Sequence, residues 1–294
     1  MTQREQEALH LCDLGLQAMW RGEIDPAIEL YDRAASAAES EESRELITIR
    51  KAEALIAGDR EGAEIAKLPS IIMRRRTPRH VYLAAYALMR RYSETQDRKR
   101  ALSYGQTASH AAAELGEPMA CANVLNGIGV IHVVDSEFRK AIEAFEGALA
   151  AIERAELHDE RLTGLRDVLI GNLGGAKVLS GDLDSGIALL ETILPRLDDE
   201  YLVAEACLDL CFAYLEREEY VEAEQFGRRA LETASIPRQV RNANHFLGEI
   251  CVRQDRHDEA DHFFNVVASF YPDFKNVKQL LVAVDLCSVV NWKA

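Results

Sequence analysis

The residues able to do chemistry in this 294-residue chain are scattered. Six cysteines, Cys12, Cys121, Cys207, Cys211, Cys251 and Cys287, form no CxxC pair. Cys207 and Cys211 are four apart, on one helical face, which would supply half of a metal or redox site. Without a second pair they read as small apolar residues in a reducing compartment. Among eight histidines, His257 and His262 bracket Asp258, Glu259 and Asp261. Residues five apart on a helix diverge by about 140°, and no HExxH spacing occurs, so a solvated turn is the better reading. The run from Gly171 to Gly175, GNLGG, offers a superficial phosphate cradle, yet GxxxxGKS/T, GxGxxG and GxSxG are all missing. No catalytic residue, metal site or cofactor is assigned, and the chain is expected to bind rather than catalyse.

The elements that position these residues are helical. Apolar residues make up 48%, with 17 glycines, 7 prolines and 7% aromatics, a balance that favours a helical globular chain over a sandwich or barrel. Val124 to Val134, the most apolar stretch, is interrupted by Asn126 and His132 and is far short of the roughly 20 residues of a spanning helix. With no leader-like N-terminus, a cytoplasmic protein without membrane contact is expected.

Small residues recur at Ala27, Ala63, Ala101, Ala141, Gly186, Ala223 and Ala260, separated by 36, 38, 40, 45, 37 and 37 residues. Sixteen residues before these anchors stand Leu11, Leu125, Ile170, Cys207 and Asn244; three further on come Leu14, Ile128, Leu173, Leu210 and Leu247, then Gly15, Gly129, Gly174, Cys211 and Gly248. Four after the anchors come Tyr31, Phe145, Leu190, Gly227 and Phe264, and Pro272 follows the last copy. This constant offset resembles the tetratricopeptide repeat (TPR) family, whose pattern is Leu-Gly-x2-Tyr, then Ala-x3-Phe, then Pro. The match covers repeats 8–41, 44–77, 82–115, 122–155, 167–200, 204–237 and 241–274 in one domain, 1–294. It is poorest in the second and third, where Lys51 and Met89 replace the glycine. Gly22, Gly58 and Gly181 sit where a left-handed residue can end a helix, and Asp25-Pro26 reads as a cap and first-turn proline. Pro69 and Pro78 are expected to shorten or kink the second copy. Each pair has two apolar faces that only stacking can bury. The fold class is therefore all-α: a right-handed α-solenoid of about seven helix pairs. A C-terminal helix, 276–292, either caps the last pair or forms a homodimer seam.

The resemblance implies a peptide or protein partner on the inner helices, which project Asn123, Asn126, Val130, Asn172, Glu205, Leu208, Phe212, Asn242, His245, Glu249 and Arg253. Asparagine both donates and accepts, so it can hold a peptide backbone whatever the peptide's sequence. The apolar members suggest that a ligand, a partner chain or the chain's own tail covers the centre. A sensor that changes curvature on binding a signalling peptide or small ligand is the alternative.

The net charge of −15 averages two unlike regions. Between Lys67 and Arg100 ten basic residues face only Glu94 and Asp97. The patch of Arg74, Arg75, Arg76, Arg79, Arg90, Arg91, Arg98, Lys99 and Arg100 could take an acidic partner or nucleic acid. With little aromatic interleaving beyond Tyr82, Tyr86 and Tyr92, a solvated, internally paired face is favoured and nucleic acid is disfavoured.

Overall fold

The computed structural model describes residues 1–153, 160–284 and 290–293. Among them are fifteen α-helices and no strand. The chain divides into two compact units, Met1–Ile131 and His132–Ala294. The first holds α1 (Gln3–Trp20), α2 (Ile24–Ala37), α3 (Glu41–Ala57), α4 (Ala63–Arg74), α5 (Pro78–Glu94) and α6 (Arg98–Leu115). The division falls within α7 (Pro118–Val134). The second unit holds α8 (Phe138–Glu153), α9 (Glu160–Leu179), α10 (Leu183–Ile193), α11 (Glu200–Glu216), α12 (Tyr220–Thr233), α13 (Pro237–Arg253), α14 (His257–Ser269) and α15 (Val277–Ala283).

One backbone signature marks every copy. The turn between the two helices of a pair carries a positive φ at Gly22, Asp59, Gln96, Ser136, Gly181, Glu218 and Asp255. Gly58, expected in that role, has φ −90°, and Asp59 takes the left-handed position instead. The turn thus places the second copy one residue later than its Ala63 anchor. In that register Ala52, not Lys51, is the small crossing residue, and it is fully buried with Leu68 and Ile71 opposite. Asp25 does not cap α2, which begins at Ile24; its carboxylate meets Arg60 at 2.5 Å. Pro69 lies inside an unbroken α4, and Pro78 opens α5.

Crossing volumes are matched in pairs. A Cβ on Gly15 would stand 2.7 Å from Tyr31 Cε1, and one on Gly248 would stand 2.7 Å from Phe264 Cδ1. Where the first helix carries a larger residue, the second carries glycine: Gly105 faces Met89 Sδ, and Gly227 faces Cys211 Sγ, each at 3.1 Å from an added Cβ. At each of these crossings one of the two residues is glycine, so that the larger partner can fill the space between the helices without overlap. Gly174 belongs to this set, against Leu190, so the GNLGG run is helix–helix packing within α9.

The end of the chain departs from expectation. The helix expected over 276–292 stops at Ala283, and Val284 is extended. Leu286 and Val289, within that span, lie outside the described residues. Residues 290–293 lie apart from any helix, and Trp292 is buried in the core of the second unit.

Candidate functional site

In the second unit the first helices of three successive pairs, α9, α11 and α13, present aligned stripes. Asp199 caps α11 by accepting from the Leu202 amide at 3.1 Å. With that start fixed, Glu205, Asp209 and Phe212 fall at helical spacing on one face. The same spacing lines up Arg238, Gln239, Asn242 and Phe246 on α13. On α9 the counterpart is nearly bare: a Cβ on Gly175 would collide with the Asp209 carboxylate. The missing side chain makes room for that carboxylate between the two helices.

Residues 291–293 occupy this face. Lys293 Nζ lies 2.9 Å from Asp209 Oδ1 and 3.2 Å from Glu205 Oε2. Glu205 Oε1 also accepts from Arg238 Nη2 at 2.8 Å and Gln239 Nε2 at 2.9 Å. Asn242 Nδ2 donates to the main-chain oxygen of Trp292 at 2.9 Å, and its own Oδ1 accepts from Arg241. The indole stands edge-on to Phe246, centroids 5.2 Å apart, and 5.8 Å from Phe212. Asn291 Nδ2 donates to the Val133 oxygen at 2.7 Å, and its Oδ1 accepts from the Lys293 amide at 3.0 Å. A cavity of about 30 Å³ beside Lys293, lined by Asp167, Gly171 and Asn172, has room for one water-sized group.

The electrostatics follow from burial. Asp209 is 2% exposed, and desolvation pushes its carboxyl up to about 6 although Lys293 pulls the other way. Burial also pushes Glu205 upward, but Lys293 and Arg238 outweigh it and leave its carboxyl below the usual range. For Lys293, burial acts against the charge, yet Asp209 and Glu205 hold the ammonium above its ordinary value. The arrangement can therefore hold one cation and one aromatic side chain, and fix a peptide carbonyl between them.

The expected groove residues divide between the units. Glu205, Phe212 and Asn242 come together around residues 291–293, with Asn172 at the adjoining cavity. Leu208 does not line the face; it is wholly buried in the core. His245 is half-buried against Phe246. Glu249 and Arg253 pair at 3.0 Å, and Arg253 also reaches the Leu215 oxygen and Glu216, linking α13 to α11. Asp209, Arg238, Gln239, Phe246, Trp292 and Lys293 were not singled out from sequence. The available signal was Asp209, a lone carboxylate inside an apolar run one turn after Glu205.

In the first unit Asn123, Asn126 and Val130 lie on α7. Tyr82 and Tyr86 on α5 stack with centroids 5.9 Å apart. Burial raises the Tyr82 hydroxyl, opposed by its hydrogen bond with Asn123. Val130 is exposed and borders a cavity of about 210 Å³ with Tyr86, Met89 and Gly127. Most of the basic patch is paired. Arg74 and Arg76 converge on Glu45, Arg75 meets Glu114, and Arg90 meets Glu94. Arg91 joins Asp59 and Glu61, while Arg100 meets Asp97 and covers the Tyr92 ring. Arg79 and Lys99 are exposed, and Arg98 is half-buried. Among the described residues no helix is long and apolar enough to cross a membrane, and no group of three metal-ligating side chains occurs.

No protein-family model and no curated protein matches the chain. Solved structures do. The apo quorum sensor NprR from B. thuringiensis superposes with a TM-score of 0.74 at 14% identity, over 95% of this chain and 81% of that one. A Rap protein complexed with competence and sporulation factor gives 0.70 at 14% identity, over 94% and 85%. A tetratricopeptide repeat protein from Parabacteroides merdae gives 0.56 at 15% identity, over 94% and 98%. The chain has the tetratricopeptide-type helical repeat fold.

Proposed function

We propose that this chain is a binding scaffold that takes a peptide, or a segment of a partner protein, on its first-helix faces, without catalysis and without a cofactor. One observation carries the reading. A piece of polypeptide, residues 291–293, already sits on the α9–α11–α13 face, held through a main-chain carbonyl, an aromatic ring and an ammonium group. Asn242 bonds the carbonyl, a contact that every peptide can offer. The likeness to NprR solved with its cognate peptide NprX, and to Rap solved with competence and sporulation factor, supports the same class of ligand.

Nucleic acid is disfavoured as the partner, because the arginines of the basic patch are largely matched by carboxylates and leave little unpaired charge for phosphates. A cytoplasmic setting suits the free, buried Cys12, Cys207, Cys211 and Cys251. Self-association through the exposed Leu280, Val282 and Val284 is the other interaction this chain offers. Sedimentation that stays monomeric at all concentrations would remove it.

Selection of displayed peptides on the full chain tests the main reading. Asn126→Ala, Asn172→Ala and Asn242→Ala are expected to weaken capture. Capture unchanged by all three would refute binding on these faces. The likeness to the quorum sensor NprR favours a second reading, in which the bound peptide alters the curvature. Solution scattering unchanged at saturating selected peptide would exclude it.

A further inference from the structure

We infer that the α11–α13 face is a recognition site for an aromatic residue followed by a basic one, and that Asn291–Lys293 is the chain's own occupant, which a partner segment of the same chemistry displaces. The inference rests on the peptide-binding reading and gives that ligand a chemistry.

The face selects by three features. Phe212 and Phe246 form an apolar bay filled by the Trp292 ring, where edge-to-face packing favours an aromatic over an aliphatic side chain. Asn242 fixes the carbonyl of that same residue. Glu205 and Asp209 then require a cation at the next position. Glu205 has Arg238 and Gln239 as well. For Asp209, among the described residues, Lys293 is the cation within ion-pair distance. A buried carboxylate that loses its counter-ion must gain another, take up a proton, or be re-exposed to water. Removing Lys293 therefore leaves a site matched to an incoming lysine or arginine.

The occupant is also held in a way that permits exchange. It is anchored by one carbonyl, one ring, one ammonium and the Asn291 side chain, which donates to the Val133 oxygen, and another chain can supply each of these groups. The preceding helix, α15, has seven residues and buries only Val277 and Leu281. Leu280, Val282, Val284 and Val290 around it are exposed. Among the described residues of this end, Val277, Leu281 and Trp292 are the buried apolar ones.

The test uses the full chain carrying Trp20→Phe. Trp20 is 67% exposed and Trp292 is 4% exposed, so the variant leaves a single indole that reports docking. Its emission is expected to be blue-shifted. Titration with the peptide Val-Val-Asn-Phe-Lys-Ala, which lacks indole, should move the emission to the red as Trp292 is expelled. The same peptide with Glu for Lys should not. A Lys293→Gln chain should bind the fluorescein-labelled Phe-Lys peptide roughly ten-fold more tightly than wild type, because its competitor is weakened. If Lys293→Gln misfolds, the Trp20→Phe titration decides. Emission unmoved at saturating peptide would make residues 291–293 a fixed closure of the core and overturn the inference. Displayed peptides that need Asn126 but carry no aromatic–basic pair would also overturn it, while leaving the scaffold reading in place.

Discussion

Substituting Gly15 by alanine sets two effects of known size against each other. Alanine stabilises a helix interior by about 1 kcal/mol relative to glycine. The new Cβ, however, would stand 2.7 Å from Tyr31 Cε1 and 3.0 Å from Cδ1 and Cζ. Carbon atoms pack at about 3.5–4.0 Å, so the ring must retreat by nearly an ångström. Tyr31 is 0% exposed and shares its cluster with Ala8, Leu11, Cys12 and Ala34, which leaves no free direction. Overpacking of this kind costs about 1–3 kcal/mol, so a net loss of about 1 kcal/mol is expected. Tyr31→Leu alone should cost about 2–4 kcal/mol by leaving a cavity. Together the two changes recreate the pairing that Ala52 and Leu68 make in the next repeat, so the double variant should recover about 1–3 kcal/mol relative to the sum. Amide hydrogen exchange in α1 and α2 reads the local free energy without assuming that the whole chain unfolds in one step. Slower exchange in Gly15→Ala, or additivity within about 0.5 kcal/mol, would refute the volume-matching argument.

Three further outcomes are expected. The Glu5 carboxylate accepts from the Ser40 and Ser43 hydroxyls and the Glu39 amide, each at 2.6 Å, and these bonds lower its pKa to about 2. A carboxyl lowered in the folded state adds stability that is fully present above its ordinary value of 4.5 and is lost as pH falls through about 2, so Glu5→Gln should lower the melting temperature at pH 7 and by clearly less near pH 2; equal destabilisation at both would contradict it. Gly175→Ala should push the Asp209 carboxylate off Lys293 and shift Trp292 emission to the red in the Trp20→Phe background, and an unchanged spectrum would show that α9 can yield. Burial raises the Cys12 and Cys207 thiols to about 11 and Cys211 higher still, so a thiol reagent should label none of the three before unfolding, and rapid native labelling would contradict their placement.

How much of this was legible in the sequence follows from the range of the contacts involved. The crossing of two helices is local, because Gly15 and Tyr31 are sixteen residues apart, and so the repeat, the paired helices and most first-helix positions could be read from spacing. Ala63 has the size of an anchor but stands one residue before the second copy's anchor position. The left-handed turn at Asp59 and the buried Ala52 set the register instead. Glu205, Phe212 and Asn242 were legible as first-helix positions, whereas Leu208 was not distinguishable from them, since in α11 every residue from Ala206 to Leu215 is buried. The basic run looked like a patch only because its carboxylate partners, Glu41, Glu45, Asp59 and Glu114, lie outside it.

The occupant of the second unit's face lay beyond any periodic reading, since Lys293 pairs with Asp209 across 84 residues of chain. A trace of it was nevertheless present. Asp209 sits in the run Cys207-Leu208-Asp209-Leu210-Cys211, where helical spacing buries every neighbour. A carboxylate in such a run must be met by a cation, and none of the adjacent residues of α11 carries one. The counter-charge therefore had to come from a distant segment or from a partner. The chain supplies it with Lys293, and the same requirement makes that lysine replaceable by any cation whose neighbouring aromatic fits between Phe212 and Phe246.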